Sequence, residues 1–362
     1  MLKQVIKKLA QPAHLKQGLR ACIAALVTFG LGTALHLPNS YWAVLTAVLV
    51  VQSTVGASLS IAIERTLGTL VGGVVGVAAA ALAGTSQLLT FLALGLGILI
   101  TSTLSARSSA YKLAPVTVVI VLLAEASHAS AWVSALFRLM EIGIGGVTGV
   151  LCALLILPAR ALVFLFPHCA EVVRNCARLM AMGRDGMLGR PYFPDTVDAL
   201  NARTRTVLRA ADGRAKEAHT EQRWSGQLDA APVVRSCRRL WHSVIIMLRN
   251  AERPLPEALR THIGPELDRA VEALCTHMEA LSARMENGPS DAQAAMAARI
   301  SVAALEARAD NLNAAHVLDA ASGADLTALF ATISACTHVR NNLEDLAQRL
   351  TELHVPERGQ DS

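Results

Sequence analysis

Hydrophobic positions along the chain follow two regimes that change near residue 158. Before that point apolar residues form long runs separated by short polar connections. The runs Ala21–Leu37, Tyr41–Ala57, Leu67–Gly84, Leu88–Leu104, Tyr111–Glu125 and Leu136–Pro158 predict six membrane spans, each near the ~20 residues that cross a ~30 Å hydrocarbon core. Flanking polar residues or local thinning accommodate the shorter ones. Connections such as Pro38-Asn39-Ser40 and Gly84-Thr85-Ser86-Gln87 are tight, so neighbouring spans are antiparallel hairpins. After Pro158 the period becomes that of amphipathic helices. Leu162, Leu165, Phe166, Cys169, Val172, Val173, Cys176 and Leu179 mark one face of a helix running on from the sixth span. Further helices are expected over Asp195–Gln222, Ala231–Glu252, Pro256–Glu286, Asp291–Leu312 and Asp325–Leu353. They break at Gly189-Arg190-Pro191, Arg253-Pro254-Leu255-Pro256, Asn287-Gly288-Pro289 and Ser322-Gly323. The fold class is therefore all-α. A basic cytoplasmic segment (1–20) leads into a six-helix transmembrane domain (21–158), and a cytosolic helical bundle (159–362) follows it.

Charge orients the spans. Of 33 Lys and Arg, nine precede residue 159, together with only three of the 28 acids, Glu64, Glu125 and Glu141. The apolar part is thus about +6 and the remainder about −1, within a formal net charge of +5. Lys3, Lys7, Lys8, Lys16 and Arg20 precede the first span, Arg65 lies between the second and third, Arg107 and Lys112 between the fourth and fifth, and Arg160 follows the sixth. The alternate connections, at Pro38–Ser40, at Thr85–Gln87 and near His128, carry no Lys or Arg, so both termini are expected in the cytoplasm. A basic start before an apolar run also suits a signal peptide, but five more runs follow and no small-residue cleavage site precedes Tyr41. The basic residues sit between hydrophobic runs and lack an aromatic stripe, so nucleic acid is not an expected partner; membrane lipid is.

An internal repeat narrows the function. At an offset of 73 residues, Arg65 coincides with Arg138, Gly72-Gly73-Val74 with Gly145-Gly146-Val147, and Gly76 with Gly149. Tyr41 and Tyr111 match at an offset of 70. Each unit holds three spans, an odd number, so the two copies are inverted in the membrane, an architecture recurrent among transporters. Gly68, Gly72 and Gly76, with Gly145 and Gly149 continuing from Glu141, form smooth stripes that let helices approach closely in lipid. Gly73 and Gly146 belong to the same packing set. Arg65 and Arg138 fall on the stripe faces, directed at a packed interface or a cavity. Two alternatives stay open: Arg65 as an anchor at the cytoplasmic edge, and Arg138 paired with Glu141 at i,i+3. Intramembrane ionisable groups point to function, and two arginines along one path suit a carboxylate.

The segments Ser40-Tyr41-Trp42-Ala43-Val44-Leu45-Thr46-Ala47, Val50-Val51-Gln52 and Glu64-Arg65-Thr66-Leu67-Gly68-Thr69-Leu70-Val71-Gly72-Gly73 resemble the fusaric acid resistance protein-like family. These are bacterial inner-membrane proteins associated with export of aromatic carboxylic acids, similar in layout to plant aluminium-activated malate transporters. The resemblance covers nearly the whole chain and places Tyr41, Trp42, Arg65 and Gly68 at signature positions. Many members carry two six-span blocks and this chain carries one, so the resemblance implies a homodimer. The candidate pathway residues are Arg65, Arg138, Glu141, Lys112, Tyr41, Trp42 and Gln52. A channel-like conduit, a proton-driven pump with Glu125 or Glu141 as carrier, and a subunit served by an accessory periplasmic protein are the modes left open.

Other chemistry finds no support in the pattern. Seven Cys lack a Cys-x-x-Cys, eleven His lack metal-ligand spacing, and no phosphate-binding loop or dinucleotide fingerprint is present. Ser109 and Lys112 make a Ser-x-x-Lys without its partner motifs. No cofactor, metal or enzymatic activity is expected. The leading expectation is an inner-membrane transporter or exporter of organic, including aromatic, carboxylates. The alternative is a non-transporting anchor whose helical domain scaffolds or senses.

Overall fold

The computed structural model describes residues 12–52, 54–84, 86–123, 130–156, 161–225, 229–251, 254–315 and 317–353. Lys3, Lys7, Lys8, Glu125, Pro158, Arg160, Arg253 and the connection near His128 lie outside them. Among the described residues all regular structure is helical. The chain divides into two compact units, Met1–Ala161 and Leu162–Ser362.

The first unit holds α1 (Pro12–Ala34), α2 (Tyr41–Val50), α3 (Val55–Ala83), α4 (Gln87–Arg107), a 3-10 turn (Ser109–Tyr111), α5 (Ala114–Leu123) and α6 (Ala131–Leu155). Among the described residues four stretches are long and apolar enough to cross a membrane: Leu15–Ala34, Val55–Ala83, Gln87–Arg107 and Ala131–Leu155. The ten-residue helices α2 and α5 extend only about 15 Å each. The helix starting at Val55 corrects the expectation of a connection between Ala57 and Leu67. Thr54 is the actual start signal: its backbone is extended and its side chain accepts from the Ala57 N–H at 3.2 Å. Ser58 Oγ donates to the Thr54 carbonyl at 3.0 Å and accepts the Gln52 N–H at 3.0 Å, closing the joint. The polar groups of this joint are thus satisfied inside the protein, and the helix runs on from it. Glu64 and Arg65 lie within α3, not in a loop. Arg20 likewise belongs to α1, where it is buried and its Nε donates to the Ile156 carbonyl at the end of α6, 2.6 Å away.

Glycine governs the packing. A Cβ at Gly72 would meet the Ala114 carbonyl oxygen and lie 2.7 Å from Thr117 Cβ. At Gly145 it would meet the Ala43 carbonyl oxygen and lie 2.8 Å from Thr46 Cβ. Gly76 faces Val121 as Gly149 faces Val50, each at 2.9 Å from a side-chain carbon. So α3 lies against α5, and α6 against α2, at backbone-contact distance. Gly73 and Gly146 face the α3–α6 crossing instead, at ordinary spacing, 3.7 Å from Ala135 Cβ and 3.8 Å from Ala62 Cβ. Residue 62 opposite 146 and 73 opposite 135 make that crossing antiparallel.

The second unit comprises α7 (Ala161–Met187), α8 (Pro194–Ser225), α9 (Ala231–Ala251), α10 (Glu257–Met285), α11 (Ala292–Ala314), a 3-10 turn (Val317–Ala320) and α12 (Gly323–Glu352). Helix bounds fall close to those expected from the amphipathic period. The predicted face of α7 is core: Leu165, Cys169, Val172, Val173, Cys176 and Leu179 are inaccessible to solvent. Ser282 Oγ donates to the Ala170 carbonyl at 3.1 Å, and Arg174 forks onto both oxygens of Glu286 at 2.7 and 2.8 Å, joining α7 to α10. Arg190 grips Asp268 in the same two-pronged way, at 3.1 and 2.9 Å. The five cysteines of this unit are free. Burial pushes the Cys176 thiol well above its usual range, which makes it a core side chain and not a reactive one.

Two predictions follow from the packing. Gly72→Ala and Gly145→Ala are expected to destabilise the first unit by about 1–3 kcal/mol each, because a methyl group has no room beside a backbone carbonyl. Gly143→Ala, where a Cβ meets nothing within 4 Å, is expected to be neutral. Thermal unfolding of the detergent-solubilised full chain checks this, and equal midpoints for all three would contradict it. In the second unit His277 is 4% exposed, and burial lowers its pKa, with Arg299 adding to the effect and Glu344 and Asp291 opposing it. The unfolded chain therefore binds that proton more tightly. Stability from neutral His277 is complete above the free-histidine value of ~6.5 and is lost as pH falls through the lowered folded value. Unfolding midpoints should fall between about pH 7 and 5, and fall less in His277→Gln; an identical decline in both would refute the assignment.

Candidate functional site

The α3–α6 crossing is lined in α3 by Ala62, Arg65, Thr69 and Gly73. The 73-residue offset gives Ala135, Arg138, Ile142 and Gly146 in α6. These positions recur at three and four residues, the spacing of one helix face. Arg65, Thr69, Arg138 and Ile142 are all buried, at 8%, 1%, 5% and 2% exposure. The arginines therefore occupy the crossing itself. Seven residues separate Arg65 from Gly72 and Arg138 from Gly145, so each arginine also borders its glycine stripe, and the α6 stripe faces α2, the helix that Arg138 meets through Trp42. In the antiparallel register Arg65 is level with Gly143, about 7.5 Å along the axis from Arg138.

Both guanidinium groups turn toward α2. Arg138 stacks over the Trp42 ring, its Cζ 3.6 Å from the centroid, a favourable cation–π arrangement that is strengthened by desolvation. Arg65 Nη2 donates to Thr46 Oγ1 at 3.2 Å. Thr46 lies one turn after Trp42, whose carbonyl accepts its hydroxyl at 2.9 Å. One face of α2 thus organises both arginines about 6 Å apart along its axis. Glu141 is 1% exposed. Its Oε1 accepts the Asn39 N–H at 3.1 Å, and its Oε2 lies 4.0 Å from Arg138 Nη1, too far for a hydrogen bond. The i,i+3 pairing expected for Arg138 and Glu141 is therefore present but loose.

Hydrogen-bonding capacity remains. Arg65 Nε, Arg138 Nε and Nη1, and Thr69 Oγ1 are buried without a hydrogen-bond partner among the described residues. Buried donors cost about 1–3 kcal/mol each when left unmade, more when charged. Four such atoms lie on one helix crossing, where they leave hydrogen-bonding capacity unmet. No group of three or more metal-ligating side chains exists among the described residues.

The structure does not bring every candidate to this seam. Lys112 is exposed and ends the 3-10 turn before α5. Tyr41 packs its ring 5.2 Å from Trp42 but is 60% exposed. Gln52 serves the α2–α3 joint, its Nε2 donating to the Leu49 carbonyl at 2.8 Å. Nothing in the sequence alone marks Thr46 and Thr69 as site residues. A threonine inside an apolar run normally bonds the preceding turn, and only their spacing from Trp42 and Arg65 could have singled them out. The packing also revises one element of the repeat: Ala43, Thr46 and Val50 play the parts of Ala114, Thr117 and Val121, an offset of 71. Tyr41 therefore corresponds to Lys112, not to Tyr111.

The chain is 42% identical to the uncharacterized protein YhfK of Escherichia coli (strain K12) over 64 residues. That segment covers 18% of this chain and 9% of the relative. Residues 14–361 match the fusaric acid resistance protein family. The chain is a multi-pass helical membrane protein, and it belongs to the fusaric acid resistance protein family.

Proposed function

We propose that the protein is an inner-membrane transporter that exports organic carboxylates, aromatic ones included, along a path through the α3–α6 crossing. The observation that carries this reading is the set of buried, unpartnered donors on Arg65, Arg138 and Thr69. Desolvated guanidinium groups with free N–H bonds are strong, geometrically selective donors to a carboxylate. Such groups inside a membrane unit are costly unless they are used. Family membership supports transport as the activity.

The proposed topology has six spans in two inverted copies, α1–α3 and α4–α6, with both termini in the cytoplasm. The reciprocal packing of α3 on α5 and α6 on α2 supports it, as does the antiparallel α3–α6 crossing. The two short helices fit because irregular backbone is tolerated at membrane depth where protein covers it, and Val51 and Thr54 at the α2–α3 joint are buried. Residues 162–362 form the cytosolic helical domain in this reading, and a homodimer is the working assembly. An accessory periplasmic subunit would extend the path beyond the inner membrane.

Efflux of labelled aromatic acids from cells with and without the protein tests the function. Arg65→Ala and Arg138→Ala are each expected to lower flux about tenfold or more at unchanged membrane abundance, the scale for losing a buried charged contact. Flux unchanged in both would refute the path and favour the scaffold alternative. For topology, a reporter inserted at Ser130 should be accessible from outside and one at Ser109 from the cytoplasm. Both on one side would overturn the inverted arrangement.

A further inference from the structure

We propose that Glu141 sets the charge of the anion the seam accepts, restricting it to carboxylates bearing a single negative charge; this rests on the anion-path reading above. The charged side chains of the seam can be counted element by element. Helix α2 contains no Asp, Glu, Lys or Arg. Helix α3 contributes Arg65; its neighbour Glu64 is engaged elsewhere, accepting from Ser109 Oγ at 2.7 Å. Helix α6 contributes Arg138 and Glu141. With Glu141 ionised, the seam carries two positive charges and one negative.

Glu141 is held by the Asn39 backbone N–H and stands 4.0 Å from Arg138 Nη1, whose own hydrogen bonds remain unmade. Its charge cancels one guanidinium in the overall balance without occupying that group's donors. A monocarboxylate entering the seam brings it to neutrality. A dicarboxylate would leave an uncompensated negative charge in a buried site, a strongly unfavourable state. Selection of this kind works by repelling the wrong ligand.

The repeat argues that packing does not require this carboxylate. The position corresponding to Glu141 in the first copy is Gly68, which makes the same kind of crossing beside Ala110 and Leu113 with no charge at all. Glu141 is the element of the second stripe that departs from glycine, and it departs where the arginines converge.

Equilibrium dialysis of the purified full-length protein at about pH 7.5 against labelled benzoate and labelled phthalate, a monoanion and a dianion on the same ring, tests the proposal. Wild type should prefer benzoate. Glu141→Gln should move the benzoate-to-phthalate ratio toward phthalate about tenfold or more, the size expected for one unit charge at close range in a partly desolvated site. Glu141→Asp should keep the wild-type ratio. Thr69→Asp, which adds a carboxylate one turn from Arg65, should abolish binding of both, and it decides the matter if Glu141→Gln does not yield folded protein by size exclusion. An unchanged ratio in Glu141→Gln, or wild-type benzoate binding in Thr69→Asp, would overturn the charge rule while leaving the anion path standing. Wild type that binds neither acid would overturn both. Binding with the predicted ratios in a protein that moves no acid across a membrane would refute transport and uphold the charge rule.

Discussion

Gly72 and Gly145 are where one helix rests on another's backbone, against the carbonyls of Ala114 and Ala43. In lipid no hydrophobic force pulls helices together, so contact at this range is what holds them. The short helices α2 and α5 owe their position to it. Were α6 pushed back from α2 by a side chain at residue 145, Trp42 would leave Arg138. The stack that positions Arg138 therefore depends on a missing side chain.

In the proposed reading, the seam gives a duplicated unit a site that neither copy holds alone. The repeat supplies an arginine from each half at equivalent positions of the crossing. Departures from the repeat then differentiate the two: Trp42 stands where the other copy has Leu113, Glu141 where it has Gly68, and Thr69 where it has Ile142. The aromatic ring and the threonine hydroxyl of α2 draw both guanidinium groups to one side. A symmetrical pair of weak sites becomes one asymmetric site with a defined charge.

Much of this was legible in the sequence, for reasons that can be named. Glycine at four-residue spacing has few purposes inside an apolar run, so the stripes at residues 68–76 and 145–149 pointed to close packing. The arginines were conspicuous because charge is rare there. The amphipathic period of the second unit gave helix bounds close to those observed, since a water-facing surface enforces it. What escaped depended on partners distant in sequence. Glu64 and Arg65 looked like a loop because nothing local announces that Ser109 and Thr46 receive them. The true offset of α2 and α5 was hidden because the second copy has two more residues between Val121 and Arg138 than the first has between Val50 and Arg65. The matching tyrosines were a coincidence of that shift. That α3 crosses α6 with Gly73 meeting Ala135 is a contact that only the folded chain reveals.

The central claim is that Arg65 and Arg138 hold one anion between them. A double-mutant cycle on benzoate binding, using Arg65→Gln, Arg138→Gln and the combination, measures this directly. Two arginines gripping the same carboxylate should be strongly coupled, with the double variant losing little more affinity than either single one. Losses that simply add would mean two independent contacts, and would contradict the account.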